Sequence, residues 1–224
     1  APGQTPVSLL ASLHQAVSCG VDHISVYGLT IESATPYASW YARDPSAFPD
    51  EDAAAELLET AAGYLEHAGY AQYELSNFAR PGFESAHNYG YWRQRDCVAF
   101  GLSAAGYHAG SRYRNVRDFD QYCDALGRGA DARADAEHLG PAERIGEAAM
   151  LALRTAQGLR YDDFQRRFGV DATRIFARAI NKCMAAGLLE GDAGGVRLSR
   201  RGRLLANPAC AEFLVPEQMA VTQA

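Results

Sequence analysis

The stretch TPVSLLASLHQAVSCGVDHISVYGL, from Thr5 to Leu29, decides how the chain is read. Thr5 carries an N-cap side chain, and Pro6 has the fixed φ suited to a first helical position. Leu9, Leu10, Leu13, Ala16 and Val17 then recur at helical spacing until Gly20 supplies a stop. The run His23 to Leu29 is short, β-branched and apolar on both faces, as a buried parallel strand would be. Loop, helix and strand make half of a βαβ repeat, and such a crossover normally leaves one strand and returns to another beside it. The expectation is therefore a fragment of a larger α/β protein. The strand at His23 to Leu29 should lie parallel to at least one neighbour with its other flank unpaired, and no closed barrel should form within the chain.

Moving outward, residues 30 to 49 read as a loop rich in Pro, Ser and Tyr. Asp50 caps the next helix, Glu51 and Asp52 sit at its positive dipole end, and Leu57, Leu58, Ala61, Ala62 and Leu65 form its apolar face. Gly69 ends it, and Tyr70 to Leu75 alternates like a strand. Cys97 to Tyr107 reads as a buried strand leading into a Gly-rich turn, with Arg112 to Asn115 extended beyond it. From Pro141 the pattern becomes helical: Pro141 to Ala156, Tyr161 to Phe168 and Asp171 to Ala186, closed by Gly187. Leu188 to Glu190, the turn GDAGG and Val196 to Ser199 make a hairpin. Three helices followed by a hairpin is a winged-helix pattern.

Charge divides the chain at a similar place. Residues 1 to 139 hold 9 basic and 18 acidic side chains, a balance of −9, while residues 140 to 205 hold 12 basic and 7 acidic, a balance of +5. The reading is an α/β part over 1 to 139, a winged-helix-like domain over 140 to 205 and a tail over 206 to 224. The uncharged run Ala1 to Val21 has no basic n-region, and Cys97 to Ser111 is too short to span a bilayer and contains three glycines. A soluble, cytoplasmic protein with no membrane span is expected. Cys19, Cys97, Cys123, Cys183 and Cys210 are scattered singly with no CxxC pair, so they read as small buried hydrophobes rather than ligands.

Three ordered segments carry a family resemblance: Pro2-Gly3-Gln4-Thr5, then His23 to Glu32 (HISVYGLTIE), then the hexad His87-Asn88-Tyr89-Gly90-Tyr91-Trp92. Glu74 to Gly82 (ELSNFARPG) and Arg112-Tyr113-Arg114-Asn115 match as well. Together they resemble the second half of HemW-like proteins, of the radical SAM family related to oxygen-independent coproporphyrinogen III oxidase. The resemblance implies the second half of a partial (β/α) barrel with a HemN-type C-terminal domain. It also implies S-adenosylmethionine and a [4Fe-4S] cluster at the C-terminal ends of the strands, and a role as a haem chaperone or in porphyrin biosynthesis. The family's cluster is held by CxxxCxxC, a spacing this sequence does not contain, so the chain by itself is expected to be inert in radical chemistry.

The resemblance places Thr30 and Ala105 at adenine-contacting backbone positions. The family usually has Gly-Ala-His-Ser where Ser103-Ala104-Ala105-Gly106 stands, and Gln where Gly28 stands. Glu32 is a candidate to orient a substrate or ribose hydroxyl pair, with a solvated carboxylate as the alternative, and His108 is a secondary candidate near the Ala105 turn. The hexad resembles the HNxxYW motif proposed for haem binding. His87 is thus the candidate axial ligand, with Asn88, Tyr91 and Trp92 in the recognition element. Arg93, Arg95, Arg112 and Arg114 are placed to pair with propionates. The alternative for the hexad is an aromatic-rich turn whose His and Asn cap backbone groups while Tyr and Trp fill the core. The expected partners are haem or a porphyrin, a haem-acceptor protein and the missing N-terminal half. A competing function is a winged-helix DNA-binding regulator with an α/β sensor domain. It rests on Arg174, Arg178 and Lys182 at i, i+4 and i+8, and on Arg197, Arg200, Arg201 and Arg203 around the wing.

Overall fold

A computed structural model describes residues 1 to 214. It divides into two compact units, Ala1–Glu84 and the chain from Ser85 onward, so the charge boundary near Gly140 lies inside the second. No helix among the described residues is long and apolar enough to cross a membrane.

The first unit begins with α1 (Pro6–Ser18), where the Thr5 hydroxyl accepts from the Ser8 amide at 3.2 Å and Gly20 leaves the helix at φ 72°. α1 packs against α3 (Glu51–His67), whose N-cap Asp50 accepts from the Ala53 amide at 2.8 Å. Leu9, Leu13, Ala61, Leu65, Tyr70 and Phe78 close the core between them. The sheet beside it has β1 (His23–Ser25) at one edge, β3 (Asn77–Ala79) in the centre and β2 (Ala71–Gln72) at the other edge.

Two expectations need correction here. β1 is three residues long and pairs antiparallel with β3, in the register His23 with Ala79 and Ser25 with Asn77, so the neighbour is not parallel. The pairing is closed at its ends by Arg80 N to Asp22 O and Val26 N to Ser76 O. Past Val26 the chain leaves the sheet, with Tyr27 at 70% and Leu29 at 44% exposure. The apolar run there reflects side chains without a covering layer in this chain, not a longer strand. The stretch 30 to 49, read as loop, contains α2 (Pro36–Arg43), with Pro36 at its first turn after Thr35.

The second unit starts with α4 (Ala86–Trp92). A meander follows: β4 (Ala105–His108), β5 (Ser111–Asn115) and, after α5 (Phe119–Gly127), β6 (Arg133–His138), all antiparallel in that order. The expected strand from Cys97 to Tyr107 forms only at its end, within β4, and residues 97 to 104 are a loop. Only Cys97 bridges, to Tyr107, and positive φ at Gly101 (92°) and Ser103 (56°) turns the backbone between them. Buried Asn115 holds that loop, donating to the carbonyls of Ala99 (3.3 Å) and Gly101 (2.9 Å).

The remaining elements are α6 (Pro141–Leu153), β7 (Leu159–Arg160), α7 (Tyr161–Phe168), α8 (Ala172–Ile175), α9 (Ala177–Ala185), β8 (Leu189–Asp192) and β9 (Gly195–Leu198). The expected third helix is broken at Phe176, whose φ of −115° and ψ of 18° leave the helical region and let the ring turn inward. The hairpin β8–β9 gains a third strand, β7, in the order β7-β9-β8. Gly158 permits the approach: at φ 68°, a Cβ there would stand 2.2 Å from the Val196 carbonyl oxygen. Part of the expected tail is structured. After α10 (Arg200–Leu204), α11 (Ala206–Ala211) packs on α6 and sends Phe213 into a core with Phe164 and Phe176. Residues 215 to 224 of that tail lie outside the described residues.

Candidate functional site

The hexad forms α4. Ser85 caps it, its hydroxyl accepting from the Asn88 amide at 3.2 Å, and Gln94 ends the segment at φ 49°. Residues four apart share a helix face, and the pairing follows this rule. The His87 ring packs edge-on against Tyr91, centroids 4.6 Å apart, and the Arg93 guanidinium lies 4.7 Å over the Tyr89 ring on the other side. His87 is exposed, and neither ring nitrogen has a hydrogen-bond partner among the described residues. Its imidazole caps nothing; the cap is Ser85. Tyr91 is 46% exposed, and its hydrogen bond with Cys97, helped by partial burial, raises its hydroxyl above the ordinary tyrosine pKa. Trp92 is half-buried, with the Arg154 guanidinium 5.6 Å from its ring centre, while its indole Nε1 is buried and has no hydrogen-bond partner among the described residues.

The four arginines named for propionate binding separate. Arg112 is committed to carboxylates, Nε to Glu137 at 2.7 Å and Nη1 to Glu147 at 2.8 Å, and Glu137 is held below the usual carboxylate range by that contact. Arg114 lies on β5, exposed. Arg93 and Arg95 line a cavity of about 690 Å³ on the Tyr89 and Trp92 side of α4, together with Arg160, Arg166 and Arg167. Sequence reasoning missed these last three. Their concentration within the basic segment was the available signal, but nothing in their spacing tied them to the hexad.

Thr30 and Ala105 fall in different units. Thr30 lines an apolar cavity of about 440 Å³ with Gly28, Tyr37, Phe48 and Leu57. Ala105 opens β4 opposite Arg114, and the adjacent Gly106 lets the end of the Tyr113 ring lie over the strand, 2.4 Å from where a Cβ would stand. Glu32 lies next to the Thr30 cavity in sequence but does not line it. His108 is 2.8 Å from Asp96 in an exposed pair and lines neither cavity. No group of three His, Cys, Asp or Glu side chains among the described residues is arranged to hold a metal, and of the cysteines only Cys183 and Cys210 are buried. The residues present do not fit an iron-sulfur cluster.

The family pattern of the HemN C-terminal domain matches residues 139–205. The chain is 32% identical over 213 residues to the haem chaperone HemW of Bacillus subtilis, covering 95% of this chain and 56% of that protein. It is 37% identical over 206 residues to the HemW of Mycobacterium tuberculosis, covering 92% and 51%. In three dimensions it superposes on coproporphyrinogen III oxidase (HemN) of Escherichia coli, described as a radical SAM enzyme, with a TM-score of 0.76 at 21% identity, covering 95% of this chain and 52% of that one. Fold and C-terminal domain thus define an α/β chain of the HemN class. Within that class the chain belongs to the HemW-like family, and it corresponds to the C-terminal part of its relatives. The chain spans about half the length of the curated relatives it matches.

Proposed function

We propose that this chain is the tetrapyrrole-binding part of a HemW-like haem chaperone and that His87 ligates haem iron. The observation that carries the reading is an exposed imidazole with no hydrogen-bond partner among the described residues, steadied by one ring contact on the hexad helix. Neutral imidazole is a common axial ligand for haem iron. Tyr91 orients the ring and offers an aromatic surface to the macrocycle, with Asn88 and Trp92 completing the recognition element on the same short helix. Haem supplies the iron; the protein binds, orients and hands it on, to a haem-acceptor protein.

Thr30, with its apolar cavity, fits the adenine side of a S-adenosylmethionine site. The thiolates for a [4Fe-4S] cluster would come from a CxxxCxxC segment in the N-terminal half, so this chain alone is read as inert in radical chemistry. Helix α6, strand β7, the three helices α7 to α9 and the β8–β9 hairpin read as a winged-helix-like domain serving as a docking module, and the setting as cytoplasmic. DNA binding gains no supporting observation. Lys182 pairs with Glu212 at 2.7 Å, Arg197 with Glu190 at 2.9 Å, and Arg201 donates to the Ala186 carbonyl at 3.3 Å.

Titrating hemin into wild type and His87→Ala tests the reading. A Soret shift that is lost or displaced in the variant is expected. Identical spectra and affinities in the two proteins would exclude His87 as the ligand.

A further inference from the structure

The second unit carries a concave, cationic site on the side of α4 that faces away from His87. The cavity of about 690 Å³ is of the size that holds a small organic ligand. Tyr89, Trp92 and Phe164 give its walls flat aromatic character. Five arginines and two aspartates line it, in a chain whose net charge is −6.

The pairing of those charges singles out three cations. Arg166 is held by Asp162 at 3.0 Å and Asp163 at 3.5 Å. Arg167 is held by Asp163 at 3.5 Å, and it also donates to the Arg93 carbonyl at 3.1 Å, tying α7 to the end of α4. By contrast, Arg160 reaches Asp192 only at 3.8 Å, Arg93 rests on the Tyr89 ring, and Arg95 has no carboxylate partner among the described residues. Arg93, Arg95 and Arg160 therefore present guanidinium groups to one hollow. The planar fork of each suits a carboxylate, and aromatic walls suit a flat body. The unpaired indole N–H of Trp92 is a further group in this wall that a ligand oxygen would satisfy after a small movement of the ring.

We infer that this cavity binds the carboxylate arms of a tetrapyrrole through Arg93, Arg95 and Arg160, without iron ligation and independently of His87. The identity of the ligand rests on the haem-chaperone reading; the anion chemistry of the site does not. His87 and Tyr91 occupy the opposite side of α4 and do not line the cavity. The hexad helix therefore offers two tetrapyrrole contacts, one for the metal and one for the acid groups. A consequence is that a porphyrin with no metal should bind.

The chain has two tryptophans, Trp40 and Trp92, so Trp40→Phe leaves Trp92 as the reporter. Protoporphyrin IX without iron is titrated into this variant, alone and combined with Arg95→Gln, with Arg95→Gln/Arg160→Gln, or with His87→Ala. The expected result is saturable quenching of Trp92, weakened at least tenfold by the double arginine change and unaltered by His87→Ala. The dimethyl ester of the same porphyrin, which keeps the ring and loses the acids, should fail to quench. Arg95→Gln alone, at an exposed position, should weaken quenching in the same direction should the double variant fold poorly. Equal quenching by acid and ester, or no effect of either arginine variant, would overturn the inference, as would quenching by ATP but not by protoporphyrin. Hemin separates this from the iron-ligand reading. A Soret change abolished by His87→Ala while protoporphyrin fails to quench leaves the ligand reading standing and removes the cavity. Arginine-dependent quenching with an unchanged hemin spectrum in His87→Ala does the reverse.

Discussion

The first unit and the part of the second from α6 onward solve the problem of covering apolar surface in different ways. In the first, two helices shelter a sheet whose strands are two or three residues long, and Tyr27, Trp40, Tyr41 and Leu29 remain between 44% and 70% exposed. Its cavity is apolar. In the second, the region from α6 onward seals Leu153, Leu159, Phe164, Phe176 and Phe213 at 1% exposure or less, and the cavity beside it is lined by arginine. A region that leaves aromatic rings in water depends on further contacts for part of its stability. A region that closes its own core can stand alone and spend its surface on charge.

The largest expected effect tests the sealed core. Phe176→Ala removes a ring packed 5.3 Å from Phe213 and 6.2 Å from Phe164, and it should cost about 3–5 kcal/mol. In a Trp92→Phe background, where Trp40 is the remaining tryptophan, urea unfolding should show the circular dichroism of the second unit lost early while Trp40 fluorescence keeps its midpoint.

A pair of identical substitutions should next give opposite signs. Gly146→Ala in α6 would place a Cβ 2.1 Å from the Leu214 carbonyl oxygen, so the overlap should destabilise by roughly 1–3 kcal/mol. Gly63→Ala in α3 meets nothing within 4 Å and should stabilise by about 0.5–1 kcal/mol, since alanine is the better helix former. Thermal melts of the two variants would refute the comparison if they moved the same way.

Thiol chemistry sharpens it further. Burial pushes the Cys210 thiol up to about 11 and raises that of Cys183, so both stay protonated near neutral pH. Exposed Cys19 and Cys123 should react with iodoacetamide in the native protein, and Cys183 and Cys210 only after denaturation. Mass spectrometry of labelled peptides reads the outcome directly.

The smallest effect is on the meander. Arg112 lowers the pKa of Glu137, and Arg133 lowers that of Asp131. A carboxyl with a depressed folded pKa contributes stability that is present above its unfolded value and lost as pH falls through the folded one. Both carboxylates are fully exposed, so a slight loss confined to acid, below about pH 4.5, is expected. Arg112→Gln should flatten that dependence in acid-titration melts.

How much of this was legible depended on whether the signal was local. Caps and helical periodicity located α1, α3, α6 and α7 because Thr5, Asp50, Pro141 and the stop glycines act within a few residues. Strand direction was not legible. His23 to Leu29 is apolar on both faces, which fits a parallel strand and equally a short edge strand whose end leaves the sheet, and only the register with Asn77–Ala79 decides. The break at Phe176 was hidden because Ile175, Phe176 and Ala179 also satisfy a continuous helical period. At the site, the hexad motif located His87, yet the arginines that share its helix's far side, Arg160, Arg166 and Arg167, are 73 to 80 residues from it in sequence, and no spacing rule connects them.

The placement of Phe213 has a consequence for the order of synthesis. The ring packs tilted against Phe176 in the core, and the Leu214 carbonyl lies where a side chain at position 146 would be. A ribosome delivers α6 some sixty residues before it delivers that ring. Until then the nascent domain holds an open slot against Gly146 with Phe164 and Phe176 uncovered, a state that invites chaperone capture. A stall or truncation between Leu204 and Phe213 would release a chain with every helix of the basic domain made and its centre missing.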